Sequence, residues 1–67
     1  MDTLKRFGQM IRDRRLERDL SQEDLAELAD VHRTYIGAVE RGEKNITLKN
    51  MEKLARALKS TIKELLP

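Results

Sequence analysis

Two short helical patterns meet at a tight corner in segment 21–42, and this corner restricts the chain to a helical architecture. The first pattern places three apolar residues on one inward face: Leu25, Leu28 and Ala29. Residues 30–32 interrupt this period, and Ile36 and Val39 resume it on a second helix. Ser21 can cap the first of these helices through its hydroxyl, and Gly42 can end the second. We therefore expect two helices joined by a turn of about three or four residues.

Three further helices are expected around this corner. The first helix should run to about Arg18, with three apolar residues on its inner face: Leu4, Phe7 and Ile11. Thr47 is a suitable N-cap for a fourth helix, whose apolar stripe consists of Leu48, Met51, Leu54, Ala55 and Leu58. Thr61 and Glu64 form a capping box that opens a short fifth helix, which carries Ile62, Leu65 and Leu66. The sequence thus predicts an all-α, five-helix bundle in a single domain, residues 1–67.

Composition limits the chemistry available to this bundle. The chain has 67 residues and no cysteine, so neither disulfides nor a cysteine metal site can stabilise it. We find no membrane-spanning apolar run and no signal-peptide core, and we expect a cytoplasmic protein without a membrane partner. The lone histidine, His32, lies at the expected N-cap of the third helix without a serine or cysteine partner for a triad. We therefore predict no enzymatic activity, no catalytic residue, no metal site, no cofactor and no small-molecule ligand.

The charge of the chain is distributed unevenly. The formal net charge is only +2, but residues 19–30 contain five acidic and no basic residues. The other segments, residues 1–18, 31–49 and 50–67, each carry a net positive charge. A local positive face can attract nucleic-acid phosphates even when the whole chain is nearly neutral.

The second and third helices match the helix-turn-helix motif, in which the later helix enters the major groove of DNA. Arg33 has the planar fork that suits guanine, and Thr34 and Ala38 can contact base edges or a thymine methyl. Tyr35 lies at one flank, where its hydroxyl can reach a phosphate or a base. Gly37 beside Ala38 should make the outer face shallow. We predict base reading by these four side chains; the alternative is an ordinary solvated helix face.

Donors to the DNA backbone are expected at both ends of this motif. Gln22 at the start of the second helix is backed by the free amides of the first turn. Lys44 and Asn45 follow the third helix and add a charge and an amide donor, flanked by Arg41 and Asn50. The alternative for Lys44 is an ordinary solvated loop lysine.

Matching residues occur in order along nearly the whole chain: Phe7-Gly8, Ile11-Arg12, Arg15, Leu20-Ser21-Gln22-Glu23, Leu25-Ala26, Tyr35-Ile36, Glu40-Arg41-Gly42, Asn45 and Leu54-Ala55. With this pattern the chain resembles the phage-repressor-like helix-turn-helix family, also called XRE or Cro/C1, from about residue 7 to residue 66. Residues 33–36 with residues 40–42 are most similar to the controller proteins of restriction-modification systems. The resemblance implies a repressor-like fold, regulation of transcription, and phosphate contacts by Gln22 and the loop after the third helix.

The resemblance also implies a structural brace. Glu40 falls on the inner half of the third helix, an unfavourable place for a lone carboxylate. In the family pattern it pairs with Arg15 and holds the first helix against the third. Neighbouring arginines of the first helix are alternative partners at the surface. The family usually has glycine at the position of Lys59, so we expect a less favourable end to the fourth helix here.

Two classes of function follow from these residues. The first is a sequence-specific regulator that binds double-stranded DNA as a homodimer on a palindromic or pseudopalindromic operator, in keeping with a restriction-modification controller. The second is an antitoxin or adaptor that binds a partner protein through the same fold. The dimer interface is expected at the apolar C-terminal edge: Leu48, Met51, Ile62, Leu65 and Leu66. An activator would also need RNA polymerase as a partner, and the acidic side of the second helix, with Glu23 and Glu27, is a candidate surface.

Overall fold

Five helices account for most of the chain in the computed structural model, which describes residues 2–67. In chain order they are α1 (Thr3–Glu17), α2 (Gln22–Ala29), α3 (Arg33–Glu40), α4 (Leu48–Ala57) and α5 (Ile62–Leu65). α1 packs against α3 and α5, α2 packs against α3 and α4, and α4 packs against α5. This arrangement confirms the predicted all-α architecture. No helix in the described part of the chain is long and apolar enough to cross a membrane.

Side-chain caps begin the helices where the sequence predicts them. The Ser21 hydroxyl accepts a hydrogen bond from the Asp24 amide, and the Asp24 carboxylate accepts one from the Ser21 amide. Thr61 and Glu64 form the same reciprocal box at α5, and Thr47 caps α4. The backbone donors of the two boxes hold the pKa of the Asp24 and Glu64 carboxyls below their usual values. Each boundary is therefore fixed by local hydrogen bonds.

The four longer helices end in a left-handed residue. Positive φ angles occur just past the helix ends at Asp19, Asp30, Gly42 and Lys59. After α4, the Lys59 amide donates to the Arg56 carbonyl at 3.1 Å and the Ser60 amide donates to the Ala55 carbonyl at 2.8 Å. These paired bonds form a Schellman motif, which satisfies carbonyls at the helix end. Lys59 thus adopts a conformation that favours glycine, as its position in the family pattern led us to expect.

The core contains apolar side chains from all five helices: Phe7, Ile11, Leu25, Ala26, Ala29, Ile36, Val39, Leu54, Ala55, Leu58 and Leu65. Leu28 is absent from it, because 61% of its surface is exposed. At about 100° per residue, the buried face of α2 is centred near Leu25, Ala26 and Ala29, and Leu28 lies about 105° from that centre. The prediction that Leu28 faces inward is therefore wrong. Leu48, at the first position of α4, is also exposed instead of extending the apolar stripe of that helix into the core.

Helices α1 and α3 approach each other closely at Gly8. A Cβ atom at this position would meet the Val39 carbonyl oxygen and lie 2.6 Å from that of Glu40. Real Cβ atoms essentially never come this close to backbone atoms, so any side chain would push the helices apart. Gly8 therefore sets the distance between α1 and α3.

Replacing Lys59 by glycine should stabilise the fold by about 1 kcal/mol, because the left-handed conformation strains a residue with a Cβ atom. Urea denaturation of the wild type, Lys59→Gly and Lys59→Ala measures this. Lys59→Ala removes the charge and keeps the strain, so it should not show the gain. Equal stability of the two variants would contradict the explanation.

Candidate nucleic-acid interface

The corner between α2 and α3 is built by residues 30–32. Asp30 adopts a left-handed conformation with φ of 57°, and the Val31 amide donates to the Ala26 carbonyl at 3.0 Å. His32 occupies the N-cap position of α3, as expected, but makes no side-chain capping bond. The sharp reversal leaves Arg33 exposed on the first turn of α3. The start of this helix is therefore available to a ligand.

A shallow concavity lies between the start of α2 and the length of α3, from Arg33 to Arg41. It is lined by Gln22, Arg33, Thr34, Gly37 and Arg41. A Cβ atom on Gly37 would lie 3.1 Å from an Arg41 guanidinium nitrogen and 3.5 Å from the Gln22 amide oxygen. Gly37 thus lines the concavity and lies beneath the side chains of Arg41 and Gln22. The concavity brings together two predicted base readers and two predicted phosphate donors.

Both arginines of this concavity have acidic partners. An Arg33 guanidinium nitrogen lies 3.3 Å from a Glu23 carboxylate oxygen, and Arg41 Nε lies 3.0 Å from Glu43. All four side chains are well exposed. The hydrogen bond from Arg41 lowers the pKa of the Glu43 carboxyl. Sequence inspection missed the pair between Arg33 and Glu23, because it depends on how α2 and α3 pack.

Tyr35 and Asn50 connect α3 to α4 beside this concavity. The Asn50 amide nitrogen donates to the Tyr35 hydroxyl oxygen at 3.1 Å, and both residues are half-buried. The hydroxyl proton of Tyr35 therefore remains available for another acceptor. Lys44 and Asn45 are exposed in the loop after α3, whereas Ala38 is half-buried. The predicted residues thus form three groups. The concavity contains Gln22, Arg33, Thr34 and Arg41, the pair of Tyr35 and Asn50 lies between α3 and α4, and Lys44 and Asn45 lie in the loop after α3.

Lys5 lies near the loop that follows α3, and sequence inspection did not include it among the candidate site residues. A Cβ atom on Gly42 would lie 2.6 Å from Lys5 Cγ and 2.8 Å from Lys5 Cα, so the turn after α3 packs directly on the first turn of α1. Lys5 is exposed beside this turn. The basic excess of residues 1–18 was visible in the sequence, but only the packing of α1 shows which lysine lies near the loop.

A buried ion pair between Arg15 of α1 and Glu40 of α3 connects these two helices. Arg15 Nε donates to Glu40 Oε2 at 2.7 Å, and a second guanidinium nitrogen donates to Oε1 at 3.0 Å. The side chains are only 8% and 3% exposed. Arg15 also donates to the Leu20 carbonyl at 2.8 Å, and Gln22 donates to Glu40 Oε1 at 3.1 Å. The pair with Glu40 raises the pKa of Arg15. The predicted brace is present, and it includes Gln22.

The expected dimer edge is only partly at the surface. Leu48 and Leu66 are 66% and 48% exposed, and Met51 and Ile62 are half-buried. Leu65 is fully buried within the single chain. The expectation that Leu65 lies in an interface is therefore wrong, because the single turn of α5 directs this side chain into the core.

Sequence comparison places the chain among helix-turn-helix proteins. A family model described as "Helix-turn-helix" (HTH_3) matches residues 11–65. Control protein C.SmaI from Serratia marcescens is 46% identical over 66 residues, covering 98% of this chain and 79% of the relative. Control protein C.BamHI from Bacillus amyloliquefaciens is 49% identical over 61 residues, covering 90% of this chain and 75% of the relative. The similarity thus includes the whole helix-turn-helix segment.

Comparison of three-dimensional structures agrees with the sequence comparison. The restriction-modification controller protein C.AhdI from Aeromonas hydrophila superposes with a TM-score of 0.93 at 48% identity, over 94% of this chain and 96% of the other. The hypothetical transcription factor NHTF from Neisseria also has a TM-score of 0.93, at 39% identity, over 98% of this chain and 76% of the other. The architecture is therefore shared along nearly the full length.

Removing the carboxylate of the brace should be costly. Glu40→Ala leaves the buried Arg15 guanidinium without its partner, and we expect a loss of about 3–5 kcal/mol in the free energy of unfolding. Denaturant titration measures this loss. Glu43→Ala, which breaks an exposed pair, is the control and should leave stability nearly unchanged. A loss below about 1 kcal/mol for Glu40→Ala would contradict a buried brace.

Proposed function

The chain belongs to the HTH_3 helix-turn-helix family, and from this membership we propose that it is a sequence-specific transcription regulator of a restriction-modification system. The observation that carries the proposal is the concavity between α2 and α3. It gathers Arg33 and Thr34 from the first turn of α3, the helix that enters the major groove in this motif, with Arg41 from its C-terminal end and the amide of Gln22 from the start of α2. The relatives named as control or controller proteins support the biological context.

Base reading would begin at the first turn of α3. Arg33 is exposed and presents two parallel donors to guanine O6 and N7 once it leaves Glu23. Thr34 lies beside it in the concavity and offers a hydroxyl or a methyl group. Tyr35 is oriented by Asn50 and retains a proton to donate. Ala38 is half-buried, so it would contribute a methyl contact at the margin.

Phosphate contacts would surround this reading surface. Gln22 is held by Glu40, which fixes its amide at the N-terminus of α2, where the backbone also favours anions. Arg41, Lys44 and Asn45 are exposed at the opposite end of α3. Lys5 adds a charge beside the same loop. Such contacts fix the register of a protein on DNA and carry no sequence information themselves.

A homodimer would match the symmetry of a palindromic operator. The exposed Leu48 and Leu66, with the half-buried Met51 and Ile62, form an apolar edge on α4 and α5. We propose this edge as the dimer interface. Pairing through it would place two recognition helices about 34 Å apart, one turn of DNA.

Two substitutions distinguish base reading from phosphate binding. Arg33→Ala should lose about 1–3 kcal/mol on the preferred operator and far less on scrambled DNA, since it removes a base contact. Lys44→Ala should weaken binding to both duplexes alike and reduce the salt slope by about one unit. Gel shifts on duplexes selected from a random pool, repeated across a salt series, measure both effects.

The same titrations define what would overturn the proposal. If Arg33→Ala weakened both duplexes equally, Arg33 would be a phosphate contact and sequence reading would rest on the other residues of α3 or on DNA shape. If neither substitution changed binding, or if the wild type selected no duplex, the protein would act on a partner protein and not on DNA.

The proposed dimer is tested separately. Light scattering at micromolar concentration should show a dimer. The variant with Leu48→Glu and Leu66→Glu should be a monomer, because it places charges in the apolar edge. Both side chains are already exposed in a single chain, so the substitutions should leave the fold intact. The equivalent change at Leu28, an exposed leucine outside this edge, is the control. A wild-type protein that remained monomeric with and without operator DNA would exclude the interface.

A further inference from the structure

A second groove lies where the C-terminal ends of α1, α2 and α4 meet, and it encloses about 620 Å³. Its floor includes Leu20, Leu28 and Ala57. Leu20 and Ala57 are half-buried, whereas Leu28 is 61% exposed. An isolated exposed leucine is common on protein surfaces, but Leu28 lines this groove together with Leu20 and Ala57.

The rim of this groove is basic. Arg18, Lys53, Arg56 and Lys59 line it, with Asp30 as the acidic residue among the lining side chains. Across residues 2–67, the ion pairs within 4 Å involve other cations and leave these four without an acidic partner. Three helix C-termini converge here, and their partial negative charge offsets the mutual repulsion of the rim. The groove therefore presents four cations without a carboxylate within 4 Å beside the apolar residues Leu20, Leu28 and Ala57.

The groove is separate from both surfaces described above. None of its lining residues lines the concavity between α2 and α3, and none belongs to the proposed dimer edge. Along α2, Gln22 and Leu28 are six residues apart, which corresponds to about 9 Å along the helix axis. The groove therefore shares no lining residue with the proposed base-reading surface.

We propose that this groove docks an acidic amphipathic helix of a partner protein, with one apolar side chain inserted beside Leu28. Carboxylates flanking that side chain would face Arg18 at the end of α1 and Arg56 in the last turn of α4, as in helix-in-groove recognition. Charge complementarity selects an acidic partner. The apolar floor favours protein over DNA, because a phosphate backbone would leave Leu28 without a contact.

Peptide selection tests the proposal on the 67-residue chain. The probe is a displayed library of peptides of about 16 residues, long enough to form a helix. Flanking positions vary among Glu, Gln and Lys, and the central position varies among Leu, Phe and Ser. We expect Glu-rich peptides with a central Leu or Phe to be enriched about tenfold over Lys-rich ones. The variant with Lys53→Glu and Arg56→Glu should lose this preference, and Leu28→Ser should lose the preference for Leu or Phe.

Arg12→Glu is the matched control, because Arg12 is an exposed arginine of α1 that does not line the groove. It should leave the enrichment unchanged. Circular dichroism checks the fold of each variant, and Lys59→Glu, which changes an exposed residue of the rim, replaces the double variant if that variant does not fold.

Three results would overturn the proposal. The first is the absence of acidic enrichment, and the second is the same enrichment on the charge-reversed groove. The third is a loss of operator and scrambled-DNA affinity in the charge-reversed variant without any effect on peptides, which would assign the rim to DNA phosphates. DNA binding by the wild type is measured by gel shifts, which are independent of the peptide selection. A failure of the peptide-docking proposal can therefore be distinguished from a failure of the proposed regulatory function.

Discussion

The bidentate ion pair between Arg15 and Glu40 connects the interior of the bundle to its proposed reading surface. It joins α1 to α3 directly, and it includes α2 through the hydrogen bond from Gln22. Close to the same place, Gly8 allows α1 to lie against the carbonyls of the last turn of α3. The Arg15–Glu40 pair and the close approach at Gly8 therefore both fix the position of α3. The pair has to keep its geometry, because buried charges that separate would have no water to solvate them.

The ion pairs at the outer surface of α3 are exposed, unlike the pair between Arg15 and Glu40. Arg33 and Arg41 each contact a carboxylate, but these pairs are exposed and contribute little to stability. At the proposed interface their effect would be on binding, because DNA would first have to separate each arginine from its carboxylate. For Arg33, a DNA site that offers guanine acceptors in the right position would compensate for that loss, whereas a site without them would not. Glu23, the partner of Arg33, would thus make recognition depend more strongly on the DNA sequence, in the way that repulsive elements contribute to specificity.

The sequence was most informative where a structure depends on neighbouring residues. The caps at Ser21, Thr47 and Thr61 and the corner at residues 30–32 were predictable, since each results from hydrogen bonds or φ preferences within a few positions. Leu28 and Leu65 were misplaced, because their burial depends on how a short helix is rotated against its neighbours. The proximity of Lys5 to the loop after α3 likewise required the packing of α1 on Gly42.

The left-handed backbone of Lys59 also has a consequence for protein lifetime. Strain of about 1 kcal/mol at one helix end raises the fraction of unfolded molecules about fivefold. Cellular proteases act on that fraction, so the strain shortens the time for which a molecule survives after synthesis. Because Lys59 lies outside the proposed reading surface, the abundance of the protein can change through this residue while its contacts with DNA remain the same.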